Sequence, residues 1–167
     1  MTAPDLPRLR EPANLVCPRA RWWWLIGGIG QAIVLAGLQV GWWFIDRRDA
    51  RGPHVVVAVV VGVLVLGYLI VMPIWRYRVH RWEVTATAVY TQTGWISQER
   101  RIAPLSRVQT VDLTRGPVAQ LLRLATVRVT TASAAGHVVI HGLDRDDAAT
   151  LVERLTAAAA AERGDAT

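Results

Sequence analysis

The sequence has no lysine and only one cysteine in 167 residues. A lone cysteine, Cys17, excludes a disulfide framework and any multi-cysteine metal cluster. Without lysine there is no glycine-rich loop followed by the lysine that cradles phosphates, so nucleotide binding has no motif. All nineteen basic residues are arginines, a usage typical of GC-rich genomes; against thirteen acids they leave a formal net charge of +6. Polar residues are scarce as well: 52% of the chain is apolar and the mean hydropathy is +0.26. Such a composition excludes a disordered chain, because there is ample apolar surface to bury.

The apolar excess lies in two runs. Trp22 to Ile45 gives 24 residues without a formal charge, and Val55 to Trp75 gives 21 more. As helices they reach roughly 36 and 31 Å, enough to cross a hydrocarbon core of about 30 Å. Two buried core helices with no polar face would need a much larger protein around them. Trp22, Trp23, Trp24, Trp42, Trp43 and Trp75 stand near the ends of the runs, where an apolar ring with one N–H donor is best placed. The first run is too long for a cleaved signal peptide, and Cys17 precedes its apolar segment, which argues against a lipoprotein cysteine.

The sequence therefore predicts a tail over 1–21, spans over 22–45 and 55–75, and a nine-residue loop over 46–54 that forces an antiparallel hairpin. Arg8, Arg10, Arg19 and Arg21 precede the first span and Arg76, Arg78 and Arg81 follow the second, against Arg47, Arg48 and Arg51 in the loop. Seven against three predicts an inner-membrane, multi-pass protein with both termini in the cytoplasm. Gly37 and Gly41 form a G-x-x-x-G with Gly30 on roughly the same face, and Ala58 and Gly62 offer a small surface on the second span. These five are the candidate helix-packing residues, either within the hairpin or against another chain. Gln31 and Gln39 are placed to hydrogen-bond across that contact.

Beyond Arg76 the texture changes to short alternating segments. His80–Thr85, Ala88–Thr93, Ser97–Ala103, Val108–Leu113, Thr126–Thr131 and Val138–Ile140 read as strands. Gly94-Trp95 and Ala134-Ala135-Gly136 read as turns, and the segment from Gly116 to Leu124 as a short helical turn with proline at its start. Asp144 is a natural N-cap for a last helix, with Ala148, Leu151, Val152 and Leu155 on one apolar stripe and Gly164 at its end. Six or seven strands and one helix make a small barrel or sandwich over 76–160, followed by a tail over 161–167.

Three motifs in this region, P-L-S-R-x-Q-x-V (Pro104 to Val111), G-P-x-x-x-L-L (Gly116 to Leu122) and L-A-T-V-R-V (Leu124 to Val129), resemble those of YdbS-like bacterial membrane proteins carrying a PH domain. Pro104, Arg107, Gln109, Gly116 and Pro117 are the motif residues. The resemblance runs from Trp22 to Leu155, since a two-helix hairpin before the domain is also usual there. It implies two nearly orthogonal antiparallel sheets, about seven strands in all, closed at one end by the C-terminal helix. It further implies partners among other membrane proteins, a larger relative with several such domains or a second copy of the chain, and a link to envelope stress or bacteriocin resistance. Arg123 stands where the family often has glycine, at a turn where a left-handed backbone costs a non-glycine residue about 1 kcal/mol.

No catalytic constellation emerges, and no cofactor, metal or small-molecule substrate is implied. His54, His80, His137 and His141 read as surface residues. His137 and His141 flank one strand about 13 Å apart, too far to share a zinc ion. Asp144, Asp146 and Asp147 read as helix-start residues. Between Arg76 and Arg128 nine arginines face Glu83, Glu99 and Asp112, a basic surface beneath an anionic leaflet. Arg76, Arg78 and Arg81, nearest the bilayer, are the candidate lipid head-group contacts. The first hairpin loop of the domain, Thr85 to Ala88, has no basic residue, so the phosphoinositide grip of eukaryotic PH domains does not carry over. A basic recognition helix and an aromatic ladder are both missing, which argues against nucleic acid. The sequence thus predicts a non-catalytic interaction or scaffold module at the inner membrane, with direct binding of anionic phospholipid as the alternative.

Overall fold

The computed structural model describes residues 11–46, 51–132 and 136–164, the last four of these by backbone alone. Arg8, Arg10, Arg47 and Arg48, and the turn residues Ala134 and Ala135, lie outside the described residues.

Two long helices come first, α1 (Ala20–Ile45) and α2 (Gly52–Val79). Both are long and apolar enough to cross a membrane, at about 39 and 42 Å. Each outruns its apolar stretch. The first starts two residues early; the second begins at Gly52, with Pro53 in its first turn, and carries Arg76 and Arg78 on a last turn beyond Trp75. The loop between them is accordingly shorter than the 46–54 read from hydropathy, because Gly52, Pro53 and His54, too polar to join the apolar run, form the first turn of α2, where proline's missing N–H costs nothing.

The domain is two antiparallel sheets and a closing helix. Segment Asn14–Leu15 (β1) is followed after the hairpin by β2 (Arg81–Val84), β3 (Ala88–Gly94) and β4 (Gln98–Pro104), in the order β1-β2-β3-β4. A 3-10 turn, Leu105–Arg107, leads to β5 (Val108–Thr114), a short helix α3 (Pro117–Leu121), β6 (Leu124–Thr131) and β7 (His137–Asp144), which form the second sheet in the order β5-β6-β7. Helix α4 (Arg145–Gly164) ends the described chain. Its stripe of Ala148, Leu151, Leu155 and Ala159 is buried against Val89, Val127, Val129, Ile140 and Leu143 from the inner faces of the sheets. Asp144 does cap it, its Oδ1 accepting the Asp146 N–H at 3.0 Å.

The seventh strand comes from an unexpected place. The segment before α1, read as a free tail, supplies β1, whose Asn14 and Leu15 pair with Trp82 and Arg81. A two-residue strand has no periodicity to detect. Its consequence is geometric: the chain entering α1 and the chain leaving α2 are hydrogen-bonded to each other, so the outer ends of both helices lie at the domain.

Gly94 has φ +123°, and a Cβ there would lie 1.9 Å from the Ser97 carbonyl oxygen, so the β3–β4 turn admits glycine alone. Arg123, at the position where the resemblance has glycine, takes a left-handed conformation, with φ 53°.

Candidate functional site

The hairpin and the domain meet around a second apolar cluster that joins Val16, Ala20, Trp24 and Met72 to Ala119 and Leu124. One backbone irregularity makes the meeting possible. Ala125 pairs with Leu143 but Val127 pairs with Ile140, so His141 and Gly142 together oppose a single residue of β6. This bulge puts Gly142 at φ +73°, where its missing side chain leaves room for Ala20; a Cβ would sit 2.7 Å from the Ala20 Cβ. The Gly142 carbonyl accepts the Cys17 N–H at 2.9 Å, and Arg19 forms an ion pair with Asp144. Bulges re-aim neighbouring side chains, and here the result is that His141 faces the helices, 6.3 Å from the ring of Trp23.

Above His141 lies a cavity of about 280 Å³ whose walls include Trp23, Trp24, Gln31, Tyr68, Arg76 and His141. Arg76 is half-buried, its guanidinium 5.0 Å from the centre of the Trp24 ring. On the same tryptophan, 4.9 Å away, packs His80. His80 caps the C-terminus of α2 and is 2% exposed. Its Nδ1 lies 2.8 Å from the Arg76 carbonyl oxygen; a carbonyl only accepts, so Nδ1 carries the proton. Burial first, and then the Arg76 charge, push the His80 pKa from 6.5 down to about 4, against a smaller opposing effect of that hydrogen bond. His141 is lowered too, by burial and then by Arg76 and Arg128. Both imidazoles are therefore neutral at physiological pH, and Arg76 is the cation of the cavity. The Tyr68 hydroxyl donates to Gln31 Oε1 at 3.3 Å, and the Tyr68 ring meets Trp95 of the β3–β4 turn edge-on at 5.9 Å.

The arginines singled out from the sequence do not form one patch. Arg76 and Arg78, two apart, point about 200° from each other around a helix; Arg76 turns inward to Trp24 while Arg78 is exposed. Arg81 lies in β2, opposite Gln92. Charge counting has no register, and so it merged them.

The glycine motifs also fall elsewhere. A Cβ added to Gly30, Gly37, Gly41 or Gly62 would meet nothing within 4 Å, so these four do not pack in the hairpin. Gly28 does: its Cβ would come within 2.8 Å of Leu69. Ala58 lines an apolar groove between the helices with Gln39, Val40 and Trp43. Both glutamines bond to α2, Gln31 to Tyr68 and Gln39 Nε2 to the His54 carbonyl at 3.2 Å.

Two of the four histidines expected at the surface are buried, His80 and His54. His54, in the first turn of α2, lies 3.0 Å from Asp46 Oδ2 and 4.0 Å from the Trp42 ring centre. His137 and His141 line one cleft of about 170 Å³ with Thr91, Thr93, Glu99 and Arg101. Among the described residues no group of three histidine, cysteine or acidic side chains is placed to hold a metal ion.

The motif residues shape the corner between the sheets. Pro104 ends β4 opposite Ala88; the Arg107 carbonyl accepts the Ala132 N–H at 2.9 Å; Gln109 falls in the β5 register shift between Val108 and Thr110. Gly116 and Pro117 start α3. Tyr68 and Gly142 are not singled out in the sequence, and Trp24 and His141 read there as an interface tryptophan and a surface histidine, because each owes its place at the junction to the bulge or to helix–domain docking.

The family model described as Bacterial PH domain matches residues 25–159. The chain is 29% identical over 131 residues to the UPF0699 transmembrane protein YdbS of Bacillus subtilis (strain 168), an overlap covering 74% of this chain and 79% of that protein. No solved structure matches.

Proposed function

The chain belongs to the bacterial PH domain family and is a membrane protein; from that premise we propose that it is a non-catalytic docking module of the inner membrane, its hairpin crossing twice and its domain held at the cytoplasmic face. The arginine bias supports that orientation, and the pairing of β1 with β2 supports both termini on one side. Its partners are other membrane proteins, either a second copy or a larger relative with several such domains.

One observation carries the reading. Among the described residues, strand β5 pairs on one side only, with β6, and forms the edge of its sheet. Edge N–H and C=O groups are templates for strand addition by another chain. This edge also presents Leu113 to solvent, and Ile102 is exposed on β4 across the 3-10 turn, at positions a partner would cover.

Tagged full-length chain purified from native membranes in mild detergent tests this. A stoichiometric membrane-protein partner is expected with the wild type and lost with Leu113→Asp at an unchanged thermal midpoint. A lone monomer, or a partner indifferent to Leu113→Asp and to Ile102→Asp, refutes it. A C-terminal reporter accessible from outside intact cells refutes the orientation.

A further inference from the structure

We propose that the cavity between Trp24, Tyr68, Arg76 and His141 is a binding site for one anionic phospholipid of the inner leaflet, with the phosphodiester on Arg76. The proposal rests on the hairpin crossing the bilayer and not on the docking of protein partners.

Three observations lead there. Among the described residues no carboxylate lies within ion-pair distance of Arg76, although the guanidinium is half-buried. A half-desolvated cation without a counter-charge calls for an anion from outside the chain. With both neighbouring histidines neutral, the cavity carries a single positive charge, the complement of one phosphodiester.

Depth is the second observation. From Trp23 to Gln31 on α1, and from Arg76 to Tyr68 on α2, the walls run eight residues, about 12 Å, away from the domain. The polar layer on each side of a bilayer is about 5–8 Å thick. The site therefore begins at the domain with Arg76 and His141 and ends among the first methylenes of the chains.

The third is the change of chemistry along that depth. Arginine, imidazole and indole groups stand at the domain end, Gly27, Gly28 and Met72 stand further in, and the Gln31–Tyr68 pair, its polar groups bonded to each other, closes the inner end. Gly27 lines the space without filling it; a Cβ there meets nothing within 4 Å. Free phosphate would use the cation and leave the apolar half of the cavity empty.

The test is native mass spectrometry of the full chain in detergent, titrated separately with phosphatidylglycerol, phosphatidylcholine and sodium phosphate. One phosphatidylglycerol per chain is expected, retained in millimolar phosphate and preferred over phosphatidylcholine. Arg76→Gln should lower its retention about tenfold, the loss of one charge-assisted contact, whereas the exposed Arg78→Gln should change it by less than about threefold. Gly27→Leu fills the cavity from an open position and improves helix propensity; it should abolish retention with the thermal midpoint kept, and it serves if Arg76→Gln does not fold. Equal losses from Arg76→Gln and Arg78→Gln would mean diffuse surface charge and overturn the proposal. So would displacement by phosphate, equal retention of phosphatidylcholine, or undiminished retention by Gly27→Leu.

Discussion

The joint between hairpin and domain depends on an atom that is not there. Gly142→Ala adds one methyl group at φ +73°, 2.7 Å from the Ala20 Cβ and 4.0 Å from the Val16 Cβ. Two costs follow. A left-handed backbone disfavours a residue with a Cβ by about 1–2 kcal/mol. The contact itself is far inside van der Waals distance, and Ala20 cannot rotate away because its Cβ is fixed to the first turn of α1; overpacking of this kind costs about 1–3 kcal/mol. Together they amount to about 2–5 kcal/mol, or roughly 4–20 °C in thermal midpoint for a chain of this size. Tryptophan fluorescence in detergent reads the midpoint, since Trp23 and Trp24 sit at the joint. Amide exchange at Cys17, whose N–H donates to the Gly142 carbonyl, reads the local effect, and exchange at Val16, which donates to the His80 carbonyl, reads how far it spreads. Ala20→Gly removes the clash and leaves the strain, so the double variant should recover about half of the loss. If Gly142→Ala melts with the wild type, or Ala20→Gly rescues nothing, the close approach of α1 to the bulge does not hold the two parts together.

Three further outcomes follow from the same geometry. Arg123→Gly should stabilise the protein by about 0.5 kcal/mol in denaturant titration, because relief of the strain at φ 53° exceeds the added freedom of the unfolded chain; the backbone bonds of Arg123 to Gln120 and Arg145 remain. Stability should fall with acid in a window set by His80: its folded pKa near 4 lies below the unfolded 6.5, so the unfolded state takes up the proton first, and about 2 kcal/mol is lost between pH 7 and pH 5. His80→Phe should flatten that stretch of the pH–stability curve, and a flat wild-type curve would refute the burial of the imidazole. Gly37→Leu and Gly41→Leu should leave the thermal midpoint unchanged to within about 0.5 kcal/mol, since both positions open on free space.

Elements with a period were legible in the sequence. Two unbroken apolar runs gave the hairpin, β-branched alternation gave six strands, and the i, i+3, i+4, i+7 stripe from Ala148 gave α4. Gly94 announced its turn because only glycine reaches φ +123° beside the Ser97 carbonyl. The motif G-x-x-x-G does not distinguish α2 from another chain for a physical reason: it specifies a face on which helices can approach, not which helix approaches it, and a two-helix hairpin has one contact face and several candidate stripes. Gly28, outside that motif, holds the contact on the side of α1 that Ala20 and Trp24 turn toward the domain.

What stayed hidden shares one origin. β1, the seating of Ala20 and Cys17 on the bulge at Gly142, and the meeting of Trp23, Arg76 and His141 are contacts between residues some 50 to 125 positions apart, made once the hairpin folds back on the domain. Pairing of Asn14–Leu15 with β2 bolts the chain down on both sides of the two helices, so their lower ends have neither the freedom to splay nor the freedom to rotate. Arg76 lies over Trp24, beside an imidazole aimed by the bulge. The two-residue strand that no periodicity could reveal is thus what joins the hairpin to the β-domain at both of its open ends.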